Sequence, residues 1–434
     1  MKGLLFLAGL LLFNTAFTQS KSEKAAIDWV NENAVPLKSV HAESGLDDLA
    51  SLDGFIGDAR IVAFGECTHG SSEIFSMKHR MLEYLVKKKG FTIFSIEANM
   101  PESYALNEYI INGKGDPKIL LSGLYFWTWN TQEVLDMIEW MKKYNETAEK
   151  KIFFTGFDMQ STSAASSIAR SFLVKTGSDG IPVLDKYDSL YKANMVDNYG
   201  SKRIYPGMKE AAETVIERVK AVKHAPNDTS YAWAYQNAVI LLQFANLFNE
   251  LTPEDENRVR DKYMAENLEW IAANNPDARI MIWAHNDHVR KGKGKWNNYL
   301  NMGGYLKDAF GSQFMAVGFS TEEGTYTARI AGKKGGPDSA NVLTASTKGD
   351  VEFLLKQARY DNFLIPFKNV EEGTKETDWI FKKMNLRSLG AVASDKYQFF
   401  EHKPALDYDG IIFLKHTSSS RCFRIGAGKQ NVEE

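Results

Sequence analysis

The chain has 434 residues, 44% hydrophobic and 25% charged, a globular composition that excludes a mainly disordered or fibrous protein. Its 52 Lys and Arg against 55 Asp and Glu give a formal net charge of −3 with no basic tract, so no nucleic-acid partner is expected. Two cysteines, Cys67 and Cys422, cannot make a disulfide framework; a single bridge is open to them, but Cys67 reads better as a small buried filler than as a reactive thiolate.

Lys2 and the apolar run at 4–13 read as a secretory signal, with a small-residue cleavage site near Ala16 and no cysteine there to accept a lipid. The expectation is a signal peptide over residues 1–18 and a periplasmic or secreted product that no longer inserts in a membrane. Residues 23–52 read as amphipathic helical material with polar turns. A strand at 61–64, a helix at 75–88 stopped by Gly90 and a strand at 91–96 then form a βαβ unit, which implies parallel strands. A helix follows at 131–144 with Thr131 as N-cap, then a strand at 151–155.

From about 161 to 274 strand signals nearly vanish and helical periodicity dominates. Strands resume at 278–284, 314–319, 363–366 and 410–414, with Pro366 suited to a strand end or edge. The expected fold class is therefore α/β: three layers, α/β/α, with a mostly parallel sheet and a large helical insertion. The expected division is an α/β core over 19–160, a helical insertion over 161–274 and the rest of the core over 275–434.

In open parallel sheets ligands bind beyond the carboxyl ends of the strands. There the chain places Glu66 and His69, then Glu97, then Asp158, then His285 and His288, so three of its eight histidines fall at this edge, each near a carboxylate. Imidazole titrates near neutrality and a carboxylate fixes its tautomer, which is what general acid–base chemistry requires. Asp158 reads slightly better as a helix N-cap than as a catalytic group, and Ser71 and Ser72 as helix caps. No Gly-x-Ser-x-Gly elbow occurs, so the usual serine esterase lacks its nucleophile here.

The ordered set Gly65-Glu66-Cys67-Thr68-His69-Gly70, Glu97-Ala98, Trp129-Asn130-Thr131, Arg260-Asp261-Lys262-Tyr263-Met264 and Trp283-Ala284-His285-Asn286-Asp287-His288 resembles the erythromycin esterase family, over about residues 58–414. The resemblance implies a hydrolase that opens a macrolide lactone with water, confers macrolide resistance, forms no covalent intermediate and uses neither metal nor cofactor. It makes His69 the general base, with Glu66, Glu97, His285 and His288 completing the site. Arg260, Lys78 and Trp129 are the expected substrate contacts. Lys78 is a departure: the family commonly has Arg at this position, and Lys keeps the charge without the bidentate fork.

His285 or His288 as imidazolium, Arg260, and the backbone amides near Gly65 or Gly70 are the candidate donors to an oxyanion. Two other readings stand beside this one. Glu66 with His69, and His285 with His288, have spacings that suit a divalent metal, so a metal-dependent hydrolase of another ester is one. The other is a non-enzymatic haem binder, with histidine or tyrosine at the pocket edge as axial ligand.

Overall fold

The computed structural model describes residues 20–197, 206–247, 253–293, 299–333 and 335–423. The expected signal segment, residues 1–18, and the tail after Phe423 lie outside the described residues.

The strands, in chain order, are β1 (Val35–Pro36), β2 (Ile61–Phe64), β3 (Ile93–Asn99), β4 (Phe153–Asp158), β5 (Ile280–Trp283), β6 (Phe314–Ala328), β7 (Asp338–Val342), β8 (Asn362–Pro366), β9 (Met384–Arg387), β10 (Phe399–His402) and β11 (Gly410–Thr417). They form a nine-stranded sheet of order β1-β8-β11-β6-β2-β5-β3-β4, with β7 pairing the far half of β6, and a separate β9–β10 pair. The run from β11 through β4 is wholly parallel, whereas β8 pairs antiparallel with β11 and β1 with β8. Pro366 ends β8, where its missing N–H costs the ladder little.

Both faces of the sheet are covered. Ile61 and Ala63 of β2 join one buried cluster while Val62 and Phe64 join the other, the two-residue alternation of a strand with helices above and below it. The first cluster also takes in Ala165, Leu184, Val215, Leu241 and Leu268 from the helices Ser163–Thr176, Ile181–Asp197, Met208–Lys220, Thr229–Leu247 and Pro253–Asn274, which follow one another between β4 and β5. The second takes in the helices Ser72–Lys89 and Gln132–Thr147.

Local signals explain the boundaries. Gly90 ends the helix before β3 with φ of 70°, a left-handed conformation that costs glycine little, and Thr131 accepts a capping bond from Val134 N–H at 3.3 Å. Residues 23–52 differ from expectation: the helix Lys21–Asn33 is followed by β1, not by more helix, because Val35 and Pro36 pair with Leu364 and Phe363 of β8. So short an edge strand carries no periodicity to read.

The topology assembles the site. β3 follows β2 in the chain, yet β5 lies between them in the sheet. The loop after β5 therefore reaches the carboxyl edge between the loop after β2 and the end of β3, which brings together residues some 200 positions apart. Gly65 makes the approach possible: a Cβ there would lie 2.1 Å from Asn286 Oδ1. That same oxygen accepts from Phe319 N–H at 3.0 Å while Asn286 Nδ2 donates to Phe319 O at 2.7 Å, tying the β5 loop to β6.

Candidate active site

Two histidine–carboxylate pairs face one another across this edge. In the first, His69 Nδ1 lies 2.6 Å from Glu66 Oε1. The other Glu66 oxygen accepts from Lys78 Nζ at 2.8 Å and from Trp283 Nε1 at 2.6 Å. Glu66 is fully buried; burial by itself would raise its carboxyl, and the Lys78 ammonium with the His69 imidazole outweighs that and holds it below the usual carboxylate value. A carboxylate can only accept, so His69 carries a proton on Nδ1, and in the neutral ring it is Nε2 that holds the lone pair. The His69 side chain keeps 13% of its surface exposed, and Nε2 has no hydrogen-bond partner among the described residues.

The second group centres on His288. Its Nδ1 lies 2.7 Å from Asp261 Oδ1 and its Nε2 lies 3.3 Å from Glu97 Oε1. Arg260 braces the same groups: Nη2 donates to Glu97 Oε1 and to Asp158 Oδ2, each at 2.7 Å, and Nε donates to Asp158 at 3.2 Å. Burial by itself would lower the His288 pKa, but Glu97 and Asp261 prevail and push it up to about 10, so the ring is an imidazolium at neutral pH.

Arg260 Nη1 approaches His288 Nε2 to 3.1 Å, a distance that a neutral ring could use as an acceptor. With three carboxylates around the two cations, the charge count favours the imidazolium, whose Nε2–H then points to Glu97. Nη1 is thereby the one guanidinium nitrogen without a carboxylate partner. Glu97, buried beside His288 and Arg260, is held well below the ordinary carboxylate range against the opposing effect of burial.

His285 joins the two groups. Its ring centroid lies 4.9 Å from that of His69, and its backbone N–H donates to Glu97 Oε2 at 2.9 Å. Nε2 lies 3.2 Å from Leu389 O, to which it must donate, and Nδ1 accepts from Asp287 N–H at 3.2 Å. Both ring nitrogens are engaged, and burial, with His69 nearby, lowers its pKa to about 4. His285 is therefore neutral, which corrects its candidacy as an imidazolium donor. The amide candidates are corrected as well: Gly65 N–H is spent on Val317 O at 2.8 Å, and Gly70 N–H on Thr68 Oγ1 at 3.1 Å.

Lys78 and Trp129, expected as substrate contacts, lie beneath the site. Lys78 is fully buried under Glu66, 4.4 Å from the Trp283 ring centroid and 5.7 Å from that of Phe319, and burial lowers its pKa to about 8 despite Glu66. Trp129 is 1% exposed, donates its Nε1–H to Glu97 O at 2.7 Å and stands edge-on to His69 with ring centroids 6.1 Å apart. Each supports a site carboxylate or imidazole from below.

Asp158 does not cap the next helix. Thr162 is the N-cap of Ser163–Thr176, and Asp158 ends β4 with its carboxylate on Arg260. Ser71 holds an N-cap position without making a capping bond, while Ser72 Oγ donates to Glu133 at 2.6 Å. Cys67 and Cys422 are both free, and burial pushes the Cys67 thiol up to about 12.

Among the described residues no group of three or more His, Cys, Asp and Glu side chains is placed to hold a metal ion. The reason is visible in the donor set. Glu66 is saturated by Lys78, Trp283 and His69, and the Arg260 guanidinium occupies the space between Glu97, Asp158 and His288.

The profile of the family described as Erythromycin esterase matches residues 86–417. The chain belongs to the erythromycin esterase family. The match includes Glu97, Arg260, His285 and His288; Glu66, His69 and Lys78 precede it. A putative hydrolase of Bacillus subtilis, YbfO, is 25% identical, with 94% of both chains aligned. Erythromycin esterase type II of Escherichia coli is 24% identical over 80% of this chain and 89% of its own.

Among solved structures, a succinoglycan biosynthesis protein superposes with a TM-score of 0.77 at 27% identity, covering 92% of this chain and 99% of that one. A mutant of the erythromycin esterase EreC superposes with a TM-score of 0.65 at 17% identity, covering 87% of this chain and 95% of that one, and shares the fold. Erythromycin esterase family membership makes the chain a hydrolase acting on a small-molecule ester with water.

Proposed function

We propose that the protein opens the lactone ester of macrolide antibiotics by general-base activation of water, outside the cytoplasm once residues 1–18 are removed, and thereby protects its host from these drugs. The observation that carries the reading is the asymmetric His69: Nδ1–H given to Glu66, and Nε2 without a partner among the described residues on a side chain that keeps some exposure. In this reading Nε2 takes a proton from a water molecule as its oxygen attacks the ester carbonyl, and Glu66, kept ionised by Lys78, stabilises the imidazolium formed.

The negative charge that develops on the carbonyl oxygen meets Arg260 Nη1 as donor, and the His288 imidazolium, whose two N–H groups are held by Asp261 and Glu97, contributes its positive charge rather than a hydrogen bond. Collapse breaks the bond to the leaving alcohol oxygen, which receives the proton held by His69, so water is divided into the acid and the alcohol. The nearest side chains that would make a covalent intermediate are poorly suited to it. Ser71 Oγ is buried without a hydrogen-bond partner, hence without a base, and the Cys67 thiol stays protonated.

The Bacillus relative supports the hydrolase class, and the Escherichia relative supports the ester and the macrolide. His69→Ala tests the role of the base. Turnover of erythromycin should fall by about two to four orders of magnitude with the circular dichroism spectrum unchanged, and near-normal turnover would remove His69 from the mechanism.

A further inference from the structure

Asp261 had a place in the sequence motif but no role. It lies next to Arg260 on the helix Pro253–Asn274, and the two side chains reach His288 from different sides. Asp261 is 2% exposed, and its Oδ1 takes both the His288 Nδ1–H, at 2.7 Å, and the Met302 N–H, at 3.2 Å. A buried carboxylate at the inner face of a helix is costly unless it is paired, and its charged partner here is an imidazole at the cleft.

The groups facing His288 are Glu97 from β3, Arg260 and Asp261 from the long helix, and His285 and Asp287 from its own short helix, with Asp158 of β4 one step behind Arg260. Arg260 and His285 do not stabilise a proton on the ring: the first is a cation and the second neutral. Of the two carboxylates that do, Glu97 is shared with Arg260 and with His285 N–H, so Asp261 alone is given over to the ring and the start of the helix Met302–Phe310.

We infer that Asp261 is a positioning residue for ester hydrolysis: it fixes the orientation of the His288 ring and keeps it a cation, so that a fixed positive charge stands beside Arg260 and Glu97 before substrate binds. This rests on the function proposed above. It makes the Arg260–Asp261 dipeptide a coupled device, one residue supplying a donor and the other holding the neighbouring imidazole in its charged form. The burial that lets the Asp261 charge act at short range also keeps it off the substrate.

Asp261→Asn isolates the charge. The asparagine carbonyl can still accept from both His288 Nδ1–H and Met302 N–H, so a purely structural role would survive the change. In protein labelled with 15N-histidine, the His288 titration midpoint should move down by at least one pH unit in Asp261→Asn and return toward the native value in Asp261→Glu. With erythromycin as substrate, kcat should fall about 10–100-fold, the loss typical of removing an outer carboxylate behind a functional histidine, with KM little changed and the alkaline limb of activity displaced to lower pH.

An unchanged His288 titration in Asp261→Asn, or a kcat loss without displacement of the alkaline limb, overturns the inference. Should the asparagine variant fail to fold, Asp261→Glu carries the same test: a His288 midpoint well below the native one, with the carboxylate retained, overturns it. His288→Gln separates the two levels of the argument. Native turnover in that variant contradicts the function assigned to the site, whereas the NMR midpoint judges Asp261 whether or not erythromycin is turned over.

Discussion

Lys78→Met offers the sharpest structural test, because the Lys78–Glu66 pair has no access to water from either side. The substitution keeps the unbranched apolar stem and removes the ammonium, which lies 2.8 Å from Glu66 and 4.4 Å from the Trp283 ring centroid. Glu66 would keep Trp283 Nε1–H and His69 Nδ1–H as donors but no permanent cation. Breaking a buried ion pair by removing one partner costs about 3–5 kcal/mol, and the two remaining donors place this case near the lower end, about 3 kcal/mol.

The double variant Lys78→Met with Glu66→Gln removes both charges and keeps a neutral hydrogen-bonding group. It should recover more than half of that loss, giving a coupling of at least about 1.5 kcal/mol in a double-mutant cycle. Urea unfolding of the wild type, both single variants and the double variant measures the cycle. A loss under 1 kcal/mol for Lys78→Met, or a double variant as unstable as the two losses added, would refute the account of Glu66 as a carboxylate held by Lys78.

Three other outcomes follow from the geometry. His288, with its folded pKa raised to about 10, contributes stability in full below its unfolded value near 6.5 and loses it as pH rises through 10. The stability gap between wild type and His288→Gln should therefore shrink from pH 6 to pH 10 in urea titrations, and a constant gap would contradict it. Cys67, buried with its thiol pushed up to about 12, should resist iodoacetamide in the folded protein and react after unfolding in urea, as peptide mass mapping would show. Trp129→Phe leaves Glu97 O without its buried donor and should cost about 1–3 kcal/mol, read by urea midpoint, while lowering erythromycin turnover less than His69→Ala does.

The parallel core and most of the site were legible because each left a strong local mark. The strands β2, β3 and β5 are short apolar runs ending in ionisable residues, and in an open sheet those ends converge, so the meeting of Glu66, His69, Glu97, His285 and His288 at one edge, as a candidate site, followed from spacing and strand position. What sequence could not supply was depth. Lys78, in the second turn of a helix, gave no sign that it would be sealed beneath Glu66; Trp129, in an aromatic run that reads more often as core than as binding wall, is buried edge-on to His69.

Asp158 was misread for a related reason. An Asp shortly before a helix resembles a cap, and only the extent of β4 shows that Asp158 still belongs to the strand, short of the cap Thr162, with its carboxylate on Arg260. Asp261 was passed over because its partner lies 27 positions away and its neighbour Arg260 is the more conspicuous residue. The far half of β6 and the β9–β10 pair are half-polar or short and gave no signal, although Leu389, just after β9, supplies the carbonyl that orients His285.

The central claim, lactone opening by a base-activated water, is tested most directly by incubating erythromycin and a larger-ring macrolide with the purified mature protein, with and without a chelator, and weighing the products. The account predicts a gain of one water on at least one drug, unchanged by the chelator and lost in His69→Ala. No mass change on either drug would contradict the macrolide assignment, and a gain abolished by the chelator and restored by zinc would contradict the acid–base mechanism.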